Sequence, residues 1–234
     1  MPLDQFGFTD YITAVAGLGT AAYALVDGSK AFWGGASNHG FGNIERVMTN
    51  LYPEDTDRKD RSNPLALASV LATLRASWLN GASLVDQKAI AKSLVKLRLN
   101  EVNAGHLAIA TGVDSGTLAS IARNIATGTS LSQKESDVLG RFDLILTAML
   151  DEGYQRADQE YRNSAKAWSV AVSVVLALAG GWIVNGGVWD TYVNSNVMWK
   201  AFLVGLIATP LAPVSKDLAS ALSASVKAMQ LFKK

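Results

Sequence analysis

Apolar residues along the chain are concentrated in three blocks. Residues 167–184 read AWSVAVSVVLALAGGWIV, about 18 residues without a charge, and residues 197–214 carry Lys200 as their only charge. A helix that crosses a bilayer needs about 20 apolar residues, with about 17 as the lower limit. Residues 11–26 are also uncharged but number only about 16, so this block is either a marginal span or a re-entrant or interfacial segment. The pattern predicts three membrane helices.

The second and third blocks predict a membrane hairpin. The loop between them, NGGVWDTYVNSN, is short and rich in turn-forming residues. Trp168, Trp182 and Trp199 lie near the ends of the blocks, as expected of indole rings at a membrane–water interface. The alternative is a pair of buried helices in the core of a soluble protein.

The distribution of basic residues predicts an orientation. Lys and Arg are absent before residue 11 and between residues 185 and 196, whereas most lie between residues 30 and 166 and several follow the third block. Because Lys and Arg collect on the cytoplasmic side of membrane helices, we expect a multi-pass protein of the bacterial inner (cytoplasmic) membrane. Its N-terminus is expected outside and its C-terminus inside, with the lipid bilayer as its first partner.

The residues between the first and second blocks predict a helical cytoplasmic domain. Asn63 and Pro64 are the expected N-cap and first residue of one helix, since proline is favoured at the first helical position. Residues 83–86 (SLVD) and 132–135 (SQKE) resemble capping boxes, which mark the starts of two further helices.

A single long helix is predicted from about Gln133 to about Val184, because the next proline along the chain is Pro210. At 1.5 Å per residue this helix would be roughly 75 Å long and would form a stalk continuous with the second membrane helix. The alternative is a break near Gly153. The fold class is therefore an all-α membrane protein with five segments: an N-terminal membrane helix and flank (1–42), a cytoplasmic helical domain (43–132), the stalk (133–166), a transmembrane hairpin (167–214) and an amphipathic cytoplasmic tail (215–234).

One helix of the central domain carries a row of lysines. Lys88, Lys92 and Lys96 follow each other at four-residue spacing, which places them on one helix face. Such a face can contact anionic lipid head groups, RNA or another partner. The alternative is an ordinary solvated helix face.

Residues 104–128, AGHLAIATGVDSGTLASIARNIATG, locally resemble a helix-turn-helix of phage-repressor-like domains. The matching positions are Ala108, Gly112, Val113 and Leu118. The resemblance implies DNA binding, but the second helix offers only Arg123 as a cation, whereas a DNA-reading helix needs several donors and cations. We therefore predict an αα-hairpin, with no nucleic acid as partner.

Stripes of small residues run along the apolar blocks. In lipid, small residues let helices approach closely, so these stripes predict helix packing within or between subunits, and favour a homo-oligomer. The candidate packing residues are Ala14, Gly17, Ala21, Ser169, Ser173, Ala177, Gly180 and Gly205.

The end of the third block predicts a kinked helix, because each of its prolines removes a helix hydrogen-bond donor. In a symmetric ring, its hydroxyl and charged residues can line a pore; the alternative is an amphipathic tail on the membrane surface. The candidate pore or tail residues are Thr209, Pro210, Pro213, Ser215, Lys216 and Asp217.

The composition offers little material for catalysis. The chain has no cysteine and two histidines, and its net charge is +1. The known nucleotide-binding, hydrolase and zinc-protease motifs are missing, so we expect no enzyme, no cofactor and no metal site. The sequence favours a homo-oligomeric channel or pore with a cytoplasmic assembly or gating domain. The alternative is a non-conducting membrane scaffold or accessory subunit whose cytoplasmic domain docks a soluble partner.

Overall fold

The computed structural model describes residues 8–29, 34–52 and 63–210, and within these ranges all regular structure is helical. The predicted all-α class is confirmed. The helices are α1 (Phe8–Gly28), α2 (Ser37–Leu51), α3 (Leu67–Leu79), α4 (Leu84–Leu97), α5 (Ala104–Thr111), α6 (Ser115–Thr127), α7 (Gln133–Val184), α8 (Trp189–Val193) and α9 (residues 196–210).

The chain divides into two compact units. Ser37–Tyr161 form one, which we call the helical domain, and the described residues up to Ala36 and from Arg162 onward form the other, which we call the apolar unit. In chain order, the helical domain is inserted between the two parts of the apolar unit.

Helix α7 runs through 52 residues without interruption, so the single-helix prediction is confirmed and the alternative break at Gly153 is wrong. Gly153 is tightly packed, since a Cβ atom there would lie 2.8 Å from Cγ2 of Val47. This glycine allows α2 and α7 to approach each other and does not act as a hinge.

Among the described residues, α7 is the one helix long and apolar enough to cross a membrane. It contains an 18-residue stretch of mean hydropathy 2.0, of which only 11% is buried. Helix α1 is long enough, but its threonines, tyrosines and bordering aspartates make it less apolar. The described part of α9 is shorter than a span, and residues 211–214 of the third block lie outside the described residues.

The helical domain is built around one apolar core. Aromatic and aliphatic side chains from α2 to α7 are almost fully buried, including Ile44, Leu74, Leu118, Phe142 and Tyr154. Burial of such side chains contributes about 1.5–3 kcal/mol each relative to exposure. The core fixes the positions of the polar side chains described below.

Local signals set most helix ends in the domain. The predicted capping box at Ser132 is present, because the Glu135 carboxylate accepts from the backbone N–H of Ser132 at 2.8 Å and the Ser132 hydroxyl accepts from the N–H of Glu135. At Ser83 only half of the predicted box forms: its hydroxyl accepts from the backbone N–H of Asp86. The predicted start at Pro64 is wrong. The Asn63 side chain caps a short turn by accepting from the N–H of Leu65 at 2.9 Å, and α3 begins only at Leu67.

Candidate functional site

In the apolar unit, α7 and α9 are joined by a small polar contact. The Ser173 hydroxyl donates to the carbonyl oxygen of Gly205 at 2.6 Å, and the Thr209 hydroxyl lies 3.3 Å from the Ser173 hydroxyl oxygen. A Cβ atom on Gly205 would lie only 2.5 Å from Cα of Val174. Glycine therefore permits the close approach, and the hydrogen bonds satisfy polar groups that are costly to leave unpaired in apolar surroundings.

Helix α1 packs in the same unit through a face that differs from the predicted one. Gly19 lies against the carbonyl group of Ala208, and Ala22 is fully buried. The predicted stripe of Ala14, Gly17 and Ala21 is exposed, and a Cβ atom on Gly17 would have no atom within 4 Å. Both faces of α1 consist of small residues, so the sequence did not distinguish them.

The other predicted packing residues lie at different depths in the unit. Ser169 is buried and donates to the carbonyl of Ala165 at 2.7 Å, whereas Ala177 is half-buried. Gly180 has open space around it; the adjacent Gly181 makes the contact instead, because a Cβ atom there would lie 2.9 Å from Cβ of Ala201.

The loop between α7 and α9 carries a group of aromatic rings. The ring centroids of Trp182 and Trp189 are 6.5 Å apart, and those of Trp189 and Tyr192 are 6.1 Å apart. Tyr192 is buried, whereas Trp189 and Trp199 are more than 60% exposed, at 63% and 62%. Exposed indoles beside an apolar helix end suit a membrane interface.

Of the predicted pore or tail residues, the structure places two. Thr209 is half-buried in the contact with Ser173, and Pro210 is exposed at the end of the described part of α9. The Thr209 hydroxyl therefore faces α7. The remaining candidates, together with the tail 215–234, lie outside the described residues: Pro213, Ser215, Lys216 and Asp217.

In the helical domain, the predicted lysine row faces two carboxylates of α7. Lys88 pairs with Asp151 at 2.5 Å, and Lys92 and Lys96 both pair with Asp143, at 2.8 and 2.9 Å. The hydrogen bonds from Lys92 and Lys96 hold the pKa of the Asp143 carboxyl below its ordinary value. A lipid or partner that bound this row would compete with the domain's own ion pairs.

We expect the free energy of unfolding of the helical domain to depend less on pH at acidic pH in Asp143→Asn than in the unchanged protein. A lowered folded-state pKa contributes stability above the unfolded-state value, near 3.8, and this contribution is lost as the pH falls through the folded-state pKa. At neutral pH the variant should lose less than about 1 kcal/mol, because the pairs are partly exposed. Urea unfolding between pH 7 and pH 2.5 measures both effects. Asp143→Asn is also combined with Lys92→Met and, separately, with Lys96→Met in double-mutant cycles. If the losses in free energy of unfolding simply add in both cycles, Asp143 does not interact with these lysines.

The helix-turn-helix-like segment forms the predicted αα-hairpin. Gly112 ends α5 in the left-handed conformation with φ 65°, and Asp114 caps α6 by accepting from the N–H of Thr117 at 2.7 Å. Arg123 pairs with Glu101 at 2.7 Å, so the cation of α6 is already neutralised within the domain.

Comparison of the chain with protein-family models, with curated proteins and with solved structures found no match. Within the described residues, no group of three or more His, Asp or Glu side chains is arranged to hold a metal ion.

Proposed function

We propose that this chain is a multi-pass membrane scaffold, in which the apolar unit is the membrane anchor and the helical domain docks a soluble partner. The anchor would comprise three membrane helices, α1, the apolar part of α7, and α9 with the residues that follow it. The apolar stretch of α7, most of which is exposed, supports membrane insertion.

The observation that supports a non-conducting role is that hydroxyl groups of the apolar unit form hydrogen bonds between its helices. Ser173 and Thr209 bond to each other and to the backbone between α7 and α9. The outward side chains are instead apolar, as at Val175, Leu203 and Ile207. Such an arrangement suits contact with lipid, whereas a pore wall presents polar groups or carbonyls to the ion path.

A homo-oligomeric channel is the second candidate, favoured by the exposed small-residue face of α1. With Ala14, Gly17 and Ala21 uncovered, a second copy has room to pack there, and the helical domain would then serve assembly or gating. The two candidates differ in whether the purified protein conducts.

We expect liposomes containing the purified protein to be as impermeable to K⁺ and Cl⁻ as liposomes of lipid alone. The reason is that the hydroxyl groups of Ser173 and Thr209 bond between α7 and α9, and that of Ser169 bonds to the backbone of its own helix. Dye-based flux assays at several voltages measure this, with an added ionophore as the positive control. Flux that rises with protein content, together with a ring-sized mass in native mass spectrometry, would reject the scaffold and support the channel.

The proposed membrane topology can be tested without removing any background thiol, because the chain has no cysteine. We expect Thr191→Cys, exposed on α8 between α7 and α9, to react with a membrane-impermeant maleimide in intact bacterial spheroplasts. Ser136→Cys, exposed on the helical domain, should react only after lysis, because Lys and Arg keep that region in the cytoplasm. Equal labelling of both variants in intact spheroplasts would contradict the proposed orientation.

A further inference from the structure

Two neighbouring cavities in the helical domain form a single groove, since Asn50 and Met149 line both. The larger, about 440 Å³, lies between the end of α2, α5 and α7, and the smaller, about 200 Å³, lies between α2 and α7. We call the pair the α2 groove. None of the roles assigned above to the helical domain uses it.

One end of the α2 groove combines apolar and polar side chains. Its apolar residues are Tyr52, Ile109, Ala110 and Met149, and Thr49, Asn50 and His106 line it as well. Ile109 is 83% exposed at its rim. The wall is fixed in place, because Nε2 of His106 on α5 lies 3.0 Å from the carbonyl oxygen of Asn50 on α2. Because Ile109 is so exposed, a partner that covers it removes apolar surface from water, and this burial favours binding.

The other end of the α2 groove is charged. Arg46 and Arg156 line it together with Glu152, and the Glu160 carboxylate lies beside it, where it accepts from the amide of Asn43. Arg156 pairs with Glu152 at 2.6 Å across one helical turn, whereas Arg46 has no ion pair within the described part of the chain. The guanidinium group of Arg46 is therefore the cation that remains for an acidic group of a ligand.

We infer that the α2 groove binds an acidic amphipathic helix of the soluble partner, an inference that rests on the docking role proposed above. The helix would place an apolar side chain against Ile109 and Met149, and a carboxylate beside Arg46. Its recognition would follow the helix-in-groove mode, in which apolar anchors repeat along one helix face.

The open form of the groove favours a helix over a small molecule. A small ligand is usually buried over about 70–90% of its surface, whereas the residues at this rim, Arg46, Asn50, Ile109 and Arg156, are all exposed. On α2, the residues that line the groove run from Asn43 to Asn50, a separation of seven residues that corresponds to about 10 Å along the helix axis. This matches two turns of a bound helix.

The test uses the full-length protein in nanodiscs of neutral lipid, with empty nanodiscs as the blank. The probes are three fluorescent helical peptides of about 15 residues, which share one leucine stripe and differ only in having Glu, Gln or Lys on the polar face. Fluorescence anisotropy gives the affinities. We expect the acidic peptide to bind about tenfold more tightly than the basic one, with the difference shrinking as salt is raised.

Three variants locate the binding. Ile109→Asp should weaken the binding of the acidic peptide at least about tenfold. Arg46→Glu should make the protein bind the basic peptide more tightly than the acidic one. Val85→Asp is the matched control, because Val85 is also an exposed apolar residue but lies on α4, away from the groove.

Equal binding of the three peptides, or unchanged binding by Ile109→Asp, would overturn the inference. Binding lost in Val85→Asp and kept in Ile109→Asp would also overturn it, while leaving a docking role for another face of the domain. Saturable binding of decanoate that displaces the acidic peptide and is lost in Ile109→Asp would assign the groove to a small anionic amphiphile instead. Failure of the anchor itself would be seen separately, in the labelling and flux measurements.

Discussion

Gly205→Ala is expected to lower the free energy of unfolding of the apolar unit by about 2–3 kcal/mol, in the upper part of the range for overpacking a tight contact. The added methyl group would lie 2.5 Å from Cα of Val174 and 3.0 Å from the carbonyl oxygen of Ser173. Both of these atoms belong to the backbone of α7 and have no rotamer by which to move away. The helices must separate, which also lengthens the Ser173–Gly205 hydrogen bond.

Gly180→Ala is the matched control for this experiment. It adds the same methyl group to the apolar part of α7, but no atom lies within 4 Å of it, so the better helix propensity of alanine should leave stability unchanged or slightly raised. Thermal unfolding in detergent, followed by tryptophan fluorescence in a Trp78→Phe background, measures both variants. Trp78 is the only tryptophan between residues 37 and 161, so the remaining emission comes from the other unit. Equal melting temperatures for the two variants would contradict the close packing of α7 and α9.

Gly40→Ala is expected to destabilise the helical domain by about 3 kcal/mol. A Cβ atom on Gly40 would meet the carbonyl group of Ala157 on α7, and would lie 3.1 Å from Cζ2 of Trp78. Trp78 has little freedom to move, because its ring N–H donates to the carbonyl of Ser37 at 2.9 Å and its ring packs edge-on against Tyr161. Relief of the clash therefore requires α2 to move away from α7.

Hydrogen exchange followed by mass spectrometry measures this loss in the full chain. Core amides of α2 and α3 should exchange about a hundredfold faster in Gly40→Ala, since each 1.4 kcal/mol is a factor of ten. Gly42→Ala, on the same helix, adds a methyl group with no atom within 4 Å and should leave exchange in these helices unchanged. Parallel acceleration in both variants would contradict a loss that comes from the contact of Gly40 with α7.

The two glycine pairs show the limit of sequence reasoning about packing. Gly180 and Gly205 were equal candidates as small residues in an apolar block, yet only Gly205 lies against another backbone. On α1, the predicted Gly17 is exposed, whereas Gly19, which was not among the candidates, lies against the backbone of Ala208. A small residue permits another helix to approach closely. Whether a helix packs against it depends on the tertiary fold, which the local sequence does not specify.

The lysine row illustrates the same limit for charges. The four-residue spacing of Lys88, Lys92 and Lys96 predicted one face, but their partners Asp143 and Asp151 lie more than forty residues further along the chain, at separations of 47 to 63 residues. Nothing in the local pattern distinguishes a face that meets lipid from one that meets another helix of the same chain.

What the sequence by itself determined is the local part of the structure. Helix propensity, capping boxes and the absence of proline act within a few residues, so they predicted the all-α class, the starts of α4 and α7, and the unbroken course of α7 through Gly153. Tertiary structure alone decided which face of α1 is buried, which carboxylates pair with the lysines, and that the end of α2 and the exposed Ile109 form a groove with Arg46. These features depend on contacts between residues far apart in the chain, and such contacts form only when the whole set of helices packs around a common core.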